Sequence, residues 1–318
     1  MKTEFTSFAA MVVALPTDNA CREYLELKRW NGTPTCPHCG VVDANHYKLN
    51  VKGEFKGMYK CKSCKNRFTV TVGTMFEGSP IGLRKWFIAA YIFSSHKKGI
   101  SSHQLARDLG VTQKTAWFML HRLRTTFEDN STEPMGGEGV IVETDETIIG
   151  GKVKNMSNKK RKYIAEHPSA RNANKTTVVG IVERSNKVRF EVVKKDDIVT
   201  EIVKENIDFG SVLMTDSANT YVSIGKEYAH HGVVDHSKKE YGRDGIYYTN
   251  TIEGAFSLLD RMVMGIYHQI SAKHLKSYLD EHEFRYNSRK ITDKARFDMA
   301  LIKTKGVRLE YNTLIGKK

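Results

Sequence analysis

Residues 140–151 read Val140-Ile-Val-Glu143-Thr-Asp145-Glu146-Thr-Ile-Ile-Gly-Gly151. Apolar, β-branched residues closed by a glycine pair are the pattern of a buried strand. Three carboxylates, Glu143, Asp145 and Glu146, interrupt it. An ionised carboxylate is very costly to bury without a partner. A strand that carries acids inward therefore needs cations to meet them, either basic side chains or metal ions.

Downstream, residues 152–175 hold eight Lys or Arg and one acid, Glu166, and read as a basic insert. It is either a solvated loop or a DNA-contacting arm. Residues 176–183 and 188–193 are two strands joined by a turn at Arg184-Ser185-Asn186. Asp196-Asp197 caps a helix to Asn206, and a fourth strand, 211–215, ends at Asp216. A helix through Tyr221 and Ile224, a fifth strand near Val233 and a loop over 237–248 follow. Asn250 then opens a long helix with Ile252, Phe256, Leu259, Val263 and Ile266 on one stripe. A last helix spans about 273–287. Three strands, helix, strand, helix, strand, helix is the order of the ribonuclease-H-like α/β fold, here expected over 140–290 with a tail over 291–318. In that layout Asp145, Asp216 and Glu253 converge. Such a cluster raises its own pKa values unless cations neutralise it. Two Mg²⁺ about 4 Å apart would do so, and would clamp the attacking and leaving oxygens of a phosphodiester. Each acid also has a structural reading. Asp216 can cap the helix after it, Glu253 completes a capping box with Asn250, and Glu143 or Glu146 can replace Asp145.

Upstream, residues 1–35 read as a helical lead-in, with the apolar run 8–15 as one helix face. Cys36-Pro-His-Cys39 and Cys61-Lys-Ser-Cys64 are two C-x-x-C knuckles separated by 21 residues. Four thiolates close a tetrahedral structural Zn²⁺ site with no open position. This predicts a zinc ribbon over 36–75 with a β-hairpin in its spacer and His38 as an unneeded spare ligand. Between 80 and 128 the period turns helical. A helix over 83–93 precedes a short helix at 104–109, a Gly110 turn and a second helix capped by Thr112, which is the helix-turn-helix pattern. Gln113, Lys114, Thr115, His121, Arg122 and Arg124 lie off its apolar stripe, as residue types that contact bases and phosphates. Residues 129–139 have linker composition.

The chain has 50 Lys+Arg against 36 Asp+Glu, a formal charge of +14, which favours a polyanionic partner, nucleic acid first. No apolar run approaches the roughly 20 residues of a membrane span. Four of the five Cys are spent in the knuckles, and Cys21 reads as a small buried residue, so a reducing, cytoplasmic setting is expected.

Several segments resemble a known family. Val142-Glu-Thr-Asp145-Glu-Thr-Ile-Ile-Gly-Gly151, Thr215-Asp216-Ser217, Asn250-Thr-Ile-Glu253-Gly-Ala-Phe-Ser-Leu-Leu259 and Tyr267-His-Gln-Ile-Ser271 with Lys273-His-Leu275 resemble the Asp-Asp-Glu transposases of bacterial insertion sequences. They are most similar to the group with an N-terminal zinc ribbon, named for insertion sequence fifteen-ninety-five and also called ISXO-like. Glu281–Arg289 is similar to its C-terminal helix, and the likeness begins at Cys21. The resemblance implies that Asp145, Asp216 and Glu253 are the metal-binding triad, with Mg²⁺ (or Mn²⁺) as the catalytic ion. It implies binding of terminal inverted repeats, metal-dependent strand cleavage and strand transfer into target DNA, on a homodimer or larger assembly near the nucleoid. The family often carries Lys seven residues after the triad Glu. Here that position is Asp260, and the basic neighbour Arg261, a further candidate DNA contact, lies on another face. A DNA-binding regulator that no longer cuts and a plain nuclease are the rival readings.

Overall fold

The computed structural model describes residues 5–128, 131–151, 153, 156–168, 175–184, 186–194, 197–234, 246–304, 306 and 308–316. Parts of the expected basic insert, the turn residue Ser185, the cap Asp196 and most of the 237–248 loop lie outside the described residues. The chain forms two compact units, Met1–Glu128 with Lys290–Lys318, and Asp129–Arg289. No helix among the described residues is long and apolar enough to cross a membrane.

The first unit opens with α1 (Phe8–Ala14) and α2 (Asp18–Trp30), whose first amides are capped by Ser7 and Thr17. Cys21 is fully buried in α2, and burial pushes its thiol up to about 12, as suits a packing residue. Strands β1 (Tyr47–Val51), β2 (Glu54–Lys60) and β3 (Arg67–Phe68) form an antiparallel sheet. The expected hairpin turns at Lys52-Gly53. Both have positive φ (53° and 84°), the geometry that matches strand twist in a two-residue turn. Helices α3 (Leu83–Ser95), α4 (Ser102–Leu109) and α5 (Gln113–Thr125) follow. Ser101 and Thr112 cap α4 and α5, and Gly110 ends α4 in the left-handed conformation.

The second unit is a five-stranded sheet. Its elements are β4 (Ile141–Gly150), α6 (Asn158–Glu166), β5 (Lys175–Glu183), β6 (Val188–Val192), α7 (Val199–Asn206), β7 (Val212–Asp216), α8 (Asn219–Ile224), β8 (His230–Val234), α9 (Asn250–Met262) and α10 (Leu275–Asn287). The strand order is β6-β5-β4-β7-β8. β4, β5 and β6 pair antiparallel, whereas β7 runs parallel to β4 and β8 parallel to β7. The acid-bearing strand is therefore the central one. Its alternation sorts the side chains: Ile149 packs beneath α9 and α10 with Val178, Phe190, Ile252 and Leu279, and Val142 packs beneath α7 and α8 with Ile181, Leu213, Val203 and Tyr221. Glu143 and Asp145 share the face of Ile149. The outer edge of β6 is closed by α10. Asn287 accepts from Val188 N–H at 2.8 Å and donates to its carbonyl at 3.0 Å, Glu283 accepts from Phe190 N–H at 2.6 Å, and Lys276 donates to the Phe190 carbonyl at 3.1 Å.

Two expectations are corrected here. Residues 131–139 are not a free linker. Met135 is buried, bridges Ile207 and exchanges backbone hydrogen bonds with Asn206 and Asp208, so this segment belongs to the second unit's core. Residues 291–318 are not a tail. They form α11 (Asp293–Ile302) and α12 (Tyr311–Ile315), and α11 packs on α3 and α2. Phe297 is fully buried among Phe5, Tyr24, Phe87 and Tyr91, which supply the apolar surface that made α11 part of a core. The ribbon, the helices after it and α11 thus make one compact unit rather than separate domains.

Candidate metal centres and DNA-facing helix

The four cysteine sulfurs of the knuckles lie within 4.8 Å of one another. Cys36 and Cys64 are 3.7 Å apart and Cys39 and Cys61 3.6 Å. Ligands at about 2.3 Å around a tetrahedral Zn²⁺ stand about 3.8 Å apart, so the donor set and its spacing fit zinc, whereas a disulfide would need about 2 Å. Each knuckle turns on a left-handed residue after its second Cys, Gly40 (φ 75°) and Lys65 (φ 60°). These turns aim amides back at the first sulfur. Burial raises the Cys61 thiol, but the Cys64 and Ser63 amides outweigh it and draw it down to about 6. His38 is not a ligand, since its Nε2 sits 3.1 Å from the Arg67 carbonyl. Trp30 lies edge-on to Tyr59 and Phe68, seating the ribbon on α2.

The second constellation stands on the α9 face of the sheet. β4 and β7 pair with Glu143 opposite Met214. Two residues on, in the same parallel register, come Asp145 and Asp216, on strands about 4.8 Å apart. Glu253 enters from the first turn of α9. The approach of that helix is permitted by Gly180, which pairs with Asp145 and lies under Ile252 and Phe256. The acids feel one another. The Asp145 carboxyl is raised to about 6, first by burial and then by the charges of Asp216, Glu146 and Glu253. Among the described residues only the cysteines form a tight ligand cluster. Asp216 also accepts from Ala218 N–H at 3.0 Å, but the N-cap of α8 is Ala218, so Asp216 does not cap that helix as expected.

The neighbouring acids separate by face. Glu146 points the other way, where the Tyr221 hydroxyl donates to it at 2.5 Å, and burial raises its carboxyl. Glu143 is fully buried, and its two oxygens are filled. Oε1 accepts from Arg184 Nε at 2.6 Å and the Thr251 hydroxyl at 2.9 Å, and Oε2 from the amides of Thr251 and Ile252 at 2.9 and 3.0 Å. A carboxylate offers about four lone-pair directions, so Glu143 has none left for a metal. The expected capping box does not form. The N-cap of α9 is Thr249, with no side-chain cap bond, so Asn250 is already the first helical residue and the Glu253 amide bonds the Thr249 carbonyl at 3.2 Å. The sequence hinted at this role only through the apolar run Val140–Val142 that precedes Glu143.

Helix α5 departs most from expectation. Gln113 and Lys114 are exposed and Thr115 is half-buried on its first turn. His121, Arg122 and Arg124, expected to face DNA, are buried. Arg122 donates to the carbonyls of Met75 and Leu309 at 2.8 and 3.0 Å, and Arg124 lies over the Phe93 ring. These arginines bind the unit's own backbone and rings because α3 and the C-terminal segment cover the second half of α5. Lys114 itself stacks on Tyr311, 4.6 Å from the ring centre. Asp260 and Arg261 are exposed near the end of α9.

These two sites fall in two recognised domains. Residues 136–287 match the ISXO2-like transposase domain and residues 16–67 the transposase zinc-ribbon domain. The matches together span more than half of the sequence, and the chain belongs to the zinc-ribbon transposases of the ISXO2-like family. It is also similar to an uncharacterised protein in transposable element ISH50 of Halobacterium salinarum, 32% identical over 97 residues. That match covers 30% of this chain and 30% of the relative.

Proposed function

We propose that the chain is an Asp-Asp-Glu transposase with a ribonuclease-H-like catalytic unit, in which Asp145, Asp216 and Glu253 are the metal-binding acids. One observation supports the reading: acids from three separate elements act on one another, since Asp145, raised to about 6 first by burial, also feels the charges of Asp216 and Glu253. Asp145, Asp216 and Glu253 would hold Mg²⁺, which would supply Lewis acidity at a phosphodiester. Asp145 stands on the central strand of the sheet. The chemistry is a hydrolysis that frees a 3′-hydroxyl at the element's end. A transesterification follows, in which that hydroxyl displaces a 3′-oxygen in target DNA. Duplex DNA is the partner, held as a homodimer or larger assembly. The first turn of α5, with Gln113, Lys114 and Thr115, is the reading surface of a helix-turn-helix, and the ribbon adds basic phosphate contacts.

A second reading, a DNA-binding regulator without chemistry, is favoured by Asp260. It lies seven residues after Glu253, on the same helical face by about two turns, and puts a negative charge where the family often has Lys. One experiment separates the readings. The chain is incubated with Mg²⁺, a target plasmid and duplexes ending in the inverted repeats that flank its gene, either intact or pre-cut. A transposase cuts the first and joins the second, a nuclease only cuts, and a regulator does neither. Asp145→Asn, Asp216→Asn and Glu253→Gln should each abolish cutting and joining while end binding persists. Retained joining in any of them refutes the triad.

A further inference from the structure

Glu143 is a buried acid that the proposed chemistry does not use, and every donor around it belongs to one task. It stands on the same face of β4 as Asp145, about 7 Å away along the strand. It grips the first turn of α9 through two amides and one hydroxyl, at 2.9 to 3.0 Å. Glu253 sits on that same turn. Arg184 completes the unit. Its Nε meets Glu143, its Nη2 donates to the Tyr248 carbonyl at 2.7 Å, and its guanidinium lies 3.6 Å from the centre of the Tyr248 ring. The segment leading into α9 is thus held at Tyr248 and at Thr251 by one ion pair. The helix dipole adds to the hold, because a carboxylate is favoured at a helix N-terminus.

We infer that Glu143 and Arg184 are a positioning pair that fixes the distance between Asp145 and Glu253, and so sets the affinity of the acidic site for divalent metal. This rests on the proposed triad. The physical reason is that the two ligands come from elements with no covalent tie shorter than a hundred residues. Apolar packing of α9 on β5 and β6 is non-directional, and a directional pin fixes the helix along its own axis. A shift of about 1 Å in such a site costs on the order of a hundredfold in function. Glu143 ties α9 by three directional bonds to the strand that also carries Asp145.

The test uses the full zinc-loaded chain and Mn²⁺ as the probe, with free Mn²⁺ read by electron paramagnetic resonance. Hydrogen exchange across residues 249–256 and melting temperature are measured in parallel. Glu143→Gln should speed exchange at Thr251 and Ile252 at least tenfold. It should raise the Mn²⁺ dissociation constant at least tenfold, with binding still saturating at higher Mn²⁺. Asp145→Asn should remove saturable binding and leave those amides protected. Thr251→Val deletes one donor and leaves the charge pair intact. It should move both readouts in the same direction by a few-fold, and it decides the matter if Glu143→Gln does not fold. A purely structural Glu143 would lower the melting temperature and leave the Mn²⁺ affinity of the folded protein unchanged, and that result overturns the inference. Parental Mn²⁺ binding by Asp145→Asn would instead overturn the triad.

Discussion

Gly180→Ala tests how α9 is seated. A Cβ at Gly180 would lie 2.7 Å from Ile252 Cδ1 and 2.7 Å from Phe256 Cζ, with Phe256 Cε1 at 2.8 Å. Ordinary carbon contacts begin near 3.5 Å, so the helix must retreat by about 1 Å or both side chains must leave their rotamers. Ile252 can rotate its terminal methyl, but the Phe256 ring is held against Phe190, centroids 5.8 Å apart. Overpacking of this kind costs about 1–3 kcal/mol. For a unit of this size that is a fall in melting temperature of about 3–10 °C. Gly254 gives the opposite case on the same helix. Nothing lies within 4 Å of a Cβ built there, and its backbone is helical. Gly254→Ala should stabilise by about 0.5–1 kcal/mol, the helix-propensity difference. Calorimetry of the full chain reads both, and tryptophan emission serves as a control, because Trp30, Trp86 and Trp117 all belong to the first unit. Gly180→Ala should shift the transition that tryptophan does not see, and should weaken Mn²⁺ binding with it. Equal melting of the two variants would refute the close seating of α9 on β5.

Three other outcomes follow from the contacts described. Chelating zinc should red-shift Trp30 emission as its contacts with Tyr59 and Phe68 open, while the second unit melts as before; an unchanged spectrum would count against the four-thiolate site. Arg122→Ala should cost at least about 2 kcal/mol, because it strands the carbonyls of Met75 and Leu309, whereas Lys114→Ala should leave stability alone and reduce the salt slope of DNA binding by about 0.9. The third outcome concerns His282, where burial lowers the imidazole from 6.5 to about 4, with Nε2 donating to the Ala255 carbonyl at 3.1 Å. The unfolded chain therefore binds the extra proton between pH 6.5 and 4 and the native chain does not, so its contribution is full above about pH 6.5 and lost as pH falls towards 4. Relative to His282→Gln, the parent should lose about 3 kcal/mol over that window in denaturant titrations.

Much of this was legible where function rests on local spacing. Two C-x-x-C knuckles define a closed thiolate site whatever surrounds them, and the acids of β4 stood out because carboxylates interrupt an apolar run. The Lys52-Gly53 turn and the caps at Ser101 and Thr112 are equally local. What was not legible depends on partners far away in the chain. A helical stripe gives the face of α5 that meets one neighbour, but α3 and residue Leu309 cover a second face, so Arg122 and Arg124 turned inward. The capping box at Asn250 had the right residue types, yet the helix begins one residue earlier on Thr249, and its Thr251 and Ile252 amides go to Glu143, more than a hundred residues earlier in the chain. Only tertiary packing reveals that contact, because both acids look equally available in sequence.

The discontinuity of the first unit bears on how the protein is made. Its core closes around Phe297, yet Phe5, Tyr24, Phe87 and Tyr91 emerge from the ribosome some two hundred residues earlier or more. The second unit is synthesised entirely within that interval. The unit begun first is therefore completed last, and its apolar surface around α2 and α3 waits for α11. A chain arrested near Arg289 would carry a finished sheet with its acids in place, but an unsealed ribbon-bearing unit. The ribbon-bearing unit is thus sealed only after the sheet that carries Asp145 and Asp216 has been made.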